Sequence, residues 1–103
     1  MLIRVADPSR PAFQLRPGEE GISVFDTNAL QPPLTEAEVL EAFRPGSKAI
    51  ALSVEDVENK DMKVVPIPGA STLPQRLRDS HAEIQPTEAL SRKEFKNRLK
   101  ELE

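Results

Sequence analysis

One histidine is the only side chain of this sequence whose type suits acid–base chemistry near neutral pH. His81 has no second histidine beside it anywhere in the chain, and imidazole is the group whose ordinary pKa matches proton transfer at physiological pH. It follows a polar run at residues 76–80, which offers partners to orient the ring. We take His81 as a candidate catalytic residue. The alternative is that it caps or hydrogen-bonds a turn that enters a strand.

Ser23 is a second candidate catalytic residue, as a nucleophile. It lies within Ile22-Ser-Val-Phe25, where strand alternation places it on the face opposite Ile22 and Val24. If those two residues face the core, Ser23 instead faces solvent or bonds across strands. The sequence lacks the G-x-S-x-G elbow, so serine hydrolase chemistry is not predicted.

Three arginines are candidates for binding an anion. Arg4, Arg10 and Arg16 are spaced six residues apart, and Arg16 precedes a turn that contains Gly18 and Gly21. Guanidinium groups suit phosphate and carboxylate, so we predict Arg4 and Arg16 as anion-binding residues. The alternative is that each arginine is simply solvated. No P-loop and no G-x-G-x-x-G pattern accompanies them.

No metal or cofactor is predicted. The chain has no cysteine, which excludes disulfides, thiolate zinc sites, iron–sulfur clusters and thiol nucleophiles. The acidic residues at positions 36, 38 and 41 suit the start of a helix, where the helix dipole favours negative charge. Those at 56, 58 and 61 lack the ordered D-x-D-x-D-G pattern of a cation loop.

Composition argues against a nucleic-acid-binding protein. The net charge is −3, with no Trp or Tyr and only four Phe, so neither a basic field nor stacked aromatics are available. The basic face of the C-terminal segment is the best local candidate for contact with an acidic partner. Its residues are Arg92, Lys93, Lys96 and Lys100. Glu94, Glu101 and Glu103 dilute it, and the alternative is a solvated helix face.

The elements that position these residues follow from periodicity and capping signals. Strands are predicted at residues 2–5, 22–25, 48–52, 62–67 and 81–84, with a short edge strand at 13–15. Thr35 with Glu38 and Ser91 with Glu94 are capping boxes that predict helices over 36–44 and from 91 onward. Ser53 caps a short helix to about residue 59, and one helical turn is predicted at 73–77.

The length of 103 residues predicts a single globular domain over 1–103. The fold class predicted is α+β, with a small mixed or antiparallel sheet packed by two to three helices, the last of them amphipathic. No segment has the length of a membrane span and no secretory signal is recognised. Together with the absence of cysteine, this predicts a cytoplasmic protein.

Several short segments carry a resemblance. Leu2-Ile-Arg-Val5, Ile22-Ser-Val-Phe25, residues 51–56 leading into Lys63-Val-Val-Pro66, and Ser80-His-Ala-Glu-Ile84 together resemble small bacterial proteins of about a hundred residues without an established activity. The strand, short helix and strand of the middle segment also resemble part of ADP-ribosyltransferase-type folds. That second resemblance implies a site drawn from Arg4, Ser23, His81 and Glu83.

The sequence therefore leaves more than one function open. The first hypothesis is a non-catalytic binding or interaction module with a protein partner. The second is a small enzyme, either RNA-cleaving or ADP-ribosyltransferase-like, that uses His81 as acid or base and Arg4 or Arg16 to hold phosphate. A third possibility is a homodimer formed through a sheet edge or the C-terminal helix.

Overall fold

A computed structural model describes residues 1–103 as a five-stranded antiparallel sheet in the order β3-β1-β2-β5-β4. The strands are β1 (Leu2–Ala6), β2 (Ile22–Asp26), β3 (Lys48–Leu52), β4 (Met62–Pro66) and β5 (His81–Pro86). The helices are α1 (Glu36–Glu41), α2 (Val54–Glu58), α3 (Gln75–Ser80) and α4 (Arg92–Lys100), with a 3-10 turn at Thr27–Ala29. The predicted α+β class, with a sheet packed by helices and a C-terminal helix, is confirmed.

The predicted N-caps are present, but the capping box predicted at Thr35 is only half formed, because the Glu38 carboxylate bonds to Arg76 instead of the Thr35 N–H. The Thr35 hydroxyl accepts a hydrogen bond from the Glu38 N–H, and Ser91 with Glu94 forms the reciprocal capping box of α4. Helix α1 ends at Glu41 rather than at the predicted residue 44. Its last turn tightens into bonds that span three residues, Ala42 N–H to Val39 O and Phe43 N–H to Leu40 O. Arg44 is followed by proline, which disfavours the helical conformation at that position.

The sheet buries side chains on both of its faces. On the first face, strand residues such as Leu2, Val24 and Ile84 pack beneath α2 and α4 in a cluster of 13 buried residues. On the second face, Ile3 and Phe25 pack beneath α1 and α3 in a cluster of five. The second face is therefore covered by fewer buried side chains. Because side chains alternate between the two faces, Ser23 and His81 both lie on this second face.

The edge strand predicted at residues 13–15 is wrong. This segment belongs to the long loop at 7–21, yet Phe13 and Leu15 are only 1% and 6% exposed and pack into the first-face cluster. The strands that precede and follow this segment, β1 and β2, each already have a strand on both sides. No sheet edge is left beside it, so the apolar side chains are buried without joining the sheet.

The strands β1 and β2 pair over a short distance only. Their register comprises Leu2 with Asp26 and Ile3 with Phe25, whereas β1 pairs with β3 along all five residues. Beyond Ile3 the two strands therefore diverge, and Arg4 lies where they separate. None of the helices has the length and apolar composition that crossing a membrane requires.

Candidate functional site

Arg4 fills the gap between the diverging strands and is held there by two backbone carbonyls. Its Nε donates to Ala12 O at 2.8 Å and its Nη1 donates to Ser23 O at 3.0 Å. Burial lowers the pKa of this guanidinium, the Glu19 carboxylate opposes that effect and Arg16 adds to it. An arginine stays charged even so, and the result is a cation fixed in position.

Arg4 and Arg16, the two arginines predicted to bind an anion, line one small hollow together with Arg10. This arginine hollow has a volume of about 100 Å³ and is lined by Arg4, Arg10, Pro11, Gln14, Arg16 and Glu19. None of the three arginines forms an ion pair, because the two ion pairs in the structure join Arg76 to Glu38 and Arg98 to Glu101. Three guanidinium groups thus face one carboxylate, which leaves an excess of positive charge.

The turn at residues 16–19 positions Arg16 and Glu19. Gly18 adopts a φ of +85°, a conformation that favours glycine. Within the turn, the Arg16 N–H donates to the Glu19 side-chain Oε1 at 2.7 Å. From α4, the guanidinium of Arg92 donates to Glu19 O at 2.8 Å and to Arg16 O at 3.0 Å. Arg92 is therefore a positioning residue for this turn, a role that the sequence did not indicate.

Gly21 serves a different purpose from Gly18. A Cβ at this position would lie 2.7 Å from Ile84 O, on the neighbouring strand β5. Because Gly21 has no side chain, the backbones of β2 and β5 can approach closely at the point where β2 begins. Of the two glycines in the predicted turn, only Gly18 adopts positive φ.

His81 begins β5 on the second face of the sheet and ties down the chain at Ile67. Its Nδ1 lies 2.7 Å from Ile67 O, and the Ile67 N–H donates to His81 O at 3.3 Å. Because a carbonyl can only accept, Nδ1 carries the proton in this bond and Nε2 of the neutral ring is an acceptor. Nε2 makes no hydrogen bond within the protein. The ring also packs edge-on against Phe25 at 5.6 Å.

A second hollow brings the candidate catalytic residues together. This histidine cavity has a volume of about 230 Å³ and is lined by Arg4, Val5, Ser23, Phe25, Phe43, Ala70, Leu73 and His81. Ile22 and Val24 are buried and Ser23 is exposed, as alternation predicted. Ser23 forms no hydrogen bond with His81, so the pair is not a nucleophile and base in contact. Arg16 does not line this cavity.

His81 also lines a third hollow, a groove of about 520 Å³ between the loop at 66–71 and α3. Its polar side chains are Ser71, Gln75, Arg78, Asp79 and His81. Arg78 Nη2 donates to Gln75 Oε1 at 2.7 Å, whereas the buried Arg78 Nε has no partner. Arg78 lies in the polar run that precedes His81, and no sequence motif marks it as a site residue.

The basic face predicted on the C-terminal helix is divided between two roles. Lys93, Lys96 and Lys100 are exposed on α4, whereas Arg92 is bonded to the turn at 16–19. Lys96 and Lys100 lie beside Phe13 and Leu15 at a hollow of about 300 Å³. The three lysines are free to contact an acidic partner or water.

Glu38, one of the acidic residues of α1, has a structural partner in Arg76. Arg76 Nε donates to Glu38 Oε1 at 2.6 Å, and this hydrogen bond lowers the pKa of Glu38 below its ordinary value. No group of three or more histidine, aspartate or glutamate side chains is arranged to hold a metal ion.

No protein-family model, curated protein or solved structure matches this chain. The resemblances found in the sequence therefore remain predictions. We infer the function from the geometry of the arginine hollow and the histidine cavity.

Proposed function

We propose that this protein is a non-catalytic binding domain that holds an anionic group of a protein partner in the arginine hollow. One observation carries the proposal: Arg4, Arg10 and Arg16 line a single hollow, and no carboxylate forms an ion pair with any of them. Like charges gathered in this way repel one another, and an anion placed among them removes that repulsion.

The fixed position and partial burial of Arg4 also favour the binding of an anion. Its guanidinium is already fixed by two carbonyl acceptors, so little side-chain freedom is lost when an anion arrives. Its partial burial reduces the screening of its charge by water. Arg10 and Arg16 make no side-chain hydrogen bonds within the protein and can close on an anion with bidentate geometry.

The chemistry of the hollow fits a phosphate or carboxylate group. Both groups accept paired hydrogen bonds from guanidinium. A protein is the partner we propose, because the chain carries a net charge of −3 and has no Trp or Tyr with which to stack bases. Such a group is either an aspartate or glutamate side chain or a phosphorylated residue. We propose that the protein is bacterial and meets this partner in the cytoplasm.

Titration of the 15N-labelled protein tests this function. Inorganic phosphate and acetate are added separately, with sodium chloride at matched ionic strength as the control. We expect saturable shifts of the guanidinium Nε–Hε signals of the three arginines with one anion or both, and none with chloride. The anion that binds more tightly shows whether the partner presents a phosphate or a carboxylate group. Shifts that match chloride for both anions would contradict the proposal.

A second candidate function, the small enzyme, is favoured by the fact that Arg4 lines both the arginine hollow and the histidine cavity. In this proposal the arginines hold a substrate phosphate, and His81 acts as acid or base through Nε2, the ring nitrogen without a protein partner. The substrate is RNA or an ADP-ribosyl donor.

The two functions separate in the His81→Gln variant. The binding domain binds phosphate with unchanged affinity and shows no turnover of RNA or NAD in either form. The enzyme shows turnover in the wild-type protein that the variant loses. Turnover retained after the substitution would contradict a catalytic role for His81.

A further inference from the structure

The two edges of the sheet are unequally protected against pairing with another strand. Strand β4 has the exposed Lys63 as its second residue and ends at Pro66. Lysine and proline are the residues that block pairing at sheet edges. Strand β3 reads Lys48-Ala-Ile-Ala-Leu52, with no proline and its single charge at the first residue.

One side of β3 has no strand beside it. Its other side pairs with β1 along all five residues, from Lys48 with Ala6 to Leu52 with Leu2. This long, regular register holds β3 extended, and its remaining backbone N–H and C=O groups are directed away from the sheet. An extended strand of this kind is a template for another strand.

We propose that β3 pairs with β3 of a second copy of this chain, antiparallel and about a twofold axis at Ile50. The two five-stranded sheets then form one continuous sheet. Ile50 of each copy lies beside Ile50 of the other, and Ala49 lies opposite Ala51. The alanine side chains are small, so the strands can approach to the usual sheet spacing without a clash.

Charges at the two ends of β3 select a second copy in this orientation. Arg44 and Lys48 lie at its beginning and outnumber the single carboxylate near them, that of Asp7. Glu55 and Asp56 follow its end. An antiparallel pair brings the basic end of each copy to the acidic end of the other, and it does so twice. A parallel pair would place like charges together, which disfavours association.

Sedimentation equilibrium of charge-reversed variants tests the proposal. Lys48 and Glu55 are both exposed, so Lys48→Glu and Glu55→Lys leave the fold intact. Each alone is expected to weaken dimerisation about tenfold, because the twofold axis doubles each lost attraction. The Lys48→Glu/Glu55→Lys pair is expected to restore it. Lys63→Glu makes the same change on the other sheet edge and is expected to have no effect.

Isotope-filtered NMR on a mixture of labelled and unlabelled protein gives an independent readout. Contacts between Ala49 of one copy and Ala51 of the other are expected at concentrations where the dimer is populated. A protein that remains monomeric at millimolar concentration would overturn the proposal. So would a double variant that is no better than the single ones, or a dimer weakened equally by Lys63→Glu. Phosphate binding in the arginine hollow does not depend on any of these outcomes.

Discussion

The arginine hollow and the histidine cavity meet at Arg4, yet they are suited to different tasks. The first is lined by three arginines and a glutamate with only one apolar side chain, Pro11. The second is mostly apolar, and its two reactive side chains, Ser23 and His81, are not hydrogen-bonded to each other. Binding an anion needs only converging charge, whereas catalysis needs groups in mutual contact. The comparison therefore favours binding as the function of this protein.

The two hollows also depend on different loops. The arginine hollow is built from the loop at 7–21, which Arg4 holds at Ala12 and Arg92 holds at the turn at 16–19. The histidine cavity is bounded by the chain at 67–73, which His81 and Gly69 fix against α3. Because the two loops have separate anchors, substitutions should alter one hollow without altering the other. Only Arg4 should affect both.

Arg4→Met is expected to have the largest effect. It leaves Ala12 O and Ser23 O without their charged donor, and the free energy of unfolding should fall by about 2 kcal/mol in urea denaturation. Phosphate binding should be lost as well. Arg10→Met is the matched variant, because the Arg10 side chain lines the hollow and makes no hydrogen bond within the protein. It should weaken binding and leave stability within about 0.5 kcal/mol. Equal stability losses would refute the anchoring role of Arg4.

Arg16→Ala should weaken phosphate binding about tenfold, since one charge-assisted pair is removed. The dissociation constant can be measured by NMR titration at low ionic strength, where screening is weak. Arg98→Ala removes an arginine of α4 that lies outside the hollow and serves as the control. If both variants weaken binding equally, phosphate responds to net charge rather than to this site.

Gly69→Ala alters the chain that bounds the histidine cavity and the neighbouring groove, at a residue that does not line the arginine hollow. Its Cβ would lie 3.1 Å from Arg78 Cα and 3.2 Å from His81 Cβ, so the loop must shift away from α3. We expect the free energy of unfolding to fall by about 1 kcal/mol, with changed NMR signals at His81 and an unchanged affinity for phosphate. Ser71→Ala, at an exposed position of the same loop, is the control. A loss of phosphate affinity in Gly69→Ala would show that the hollows are coupled.

Glu19→Gln should strengthen binding in the arginine hollow, by about threefold. The amide oxygen can still accept the hydrogen bond of the Arg16 N–H, while the one negative charge of the hollow is removed. Calorimetric titration with phosphate measures the change. Unchanged or weaker binding would mean that the anion does not lie near Glu19.

Local signals in the sequence were sufficient for the starts of α1, α2 and α4 and for the strand alternation. The helical turn predicted at 73–77 was misplaced, because α3 begins at Gln75 and ends at Ser80. Capping at Thr35 and Ser91 involves residues three apart, and Ser23 follows the two-residue period of its strand. The edge strand at 13–15 was wrong because alternation cannot show whether a neighbouring strand has a free edge. Apolar alternation there instead marked side chains that a loop buries.

For the candidate sites, the sequence indicated which residue types could take part but not which of them meet in space. The six-residue spacing of the arginines matches no regular element, and their meeting depends on where β1 and β2 diverge. The polar run before His81 suggested orienting partners, but the ring bonds to Ile67 O, 14 residues earlier. Arg92 bonds to Arg16 O across 76 residues. Contacts of this range follow from the tertiary fold, and a single sequence does not encode them in any local pattern.

Anion binding in the arginine hollow can be tested by locating a bound anion in a crystal. Crystals soaked in tungstate, a tetrahedral dianion that scatters anomalously, would show where an anion binds. We expect one strong anomalous peak within hydrogen-bonding distance of the guanidinium groups of Arg4, Arg10 and Arg16. A peak only in the groove beside Arg78 and His81, or none in the arginine hollow at saturating tungstate, would contradict it.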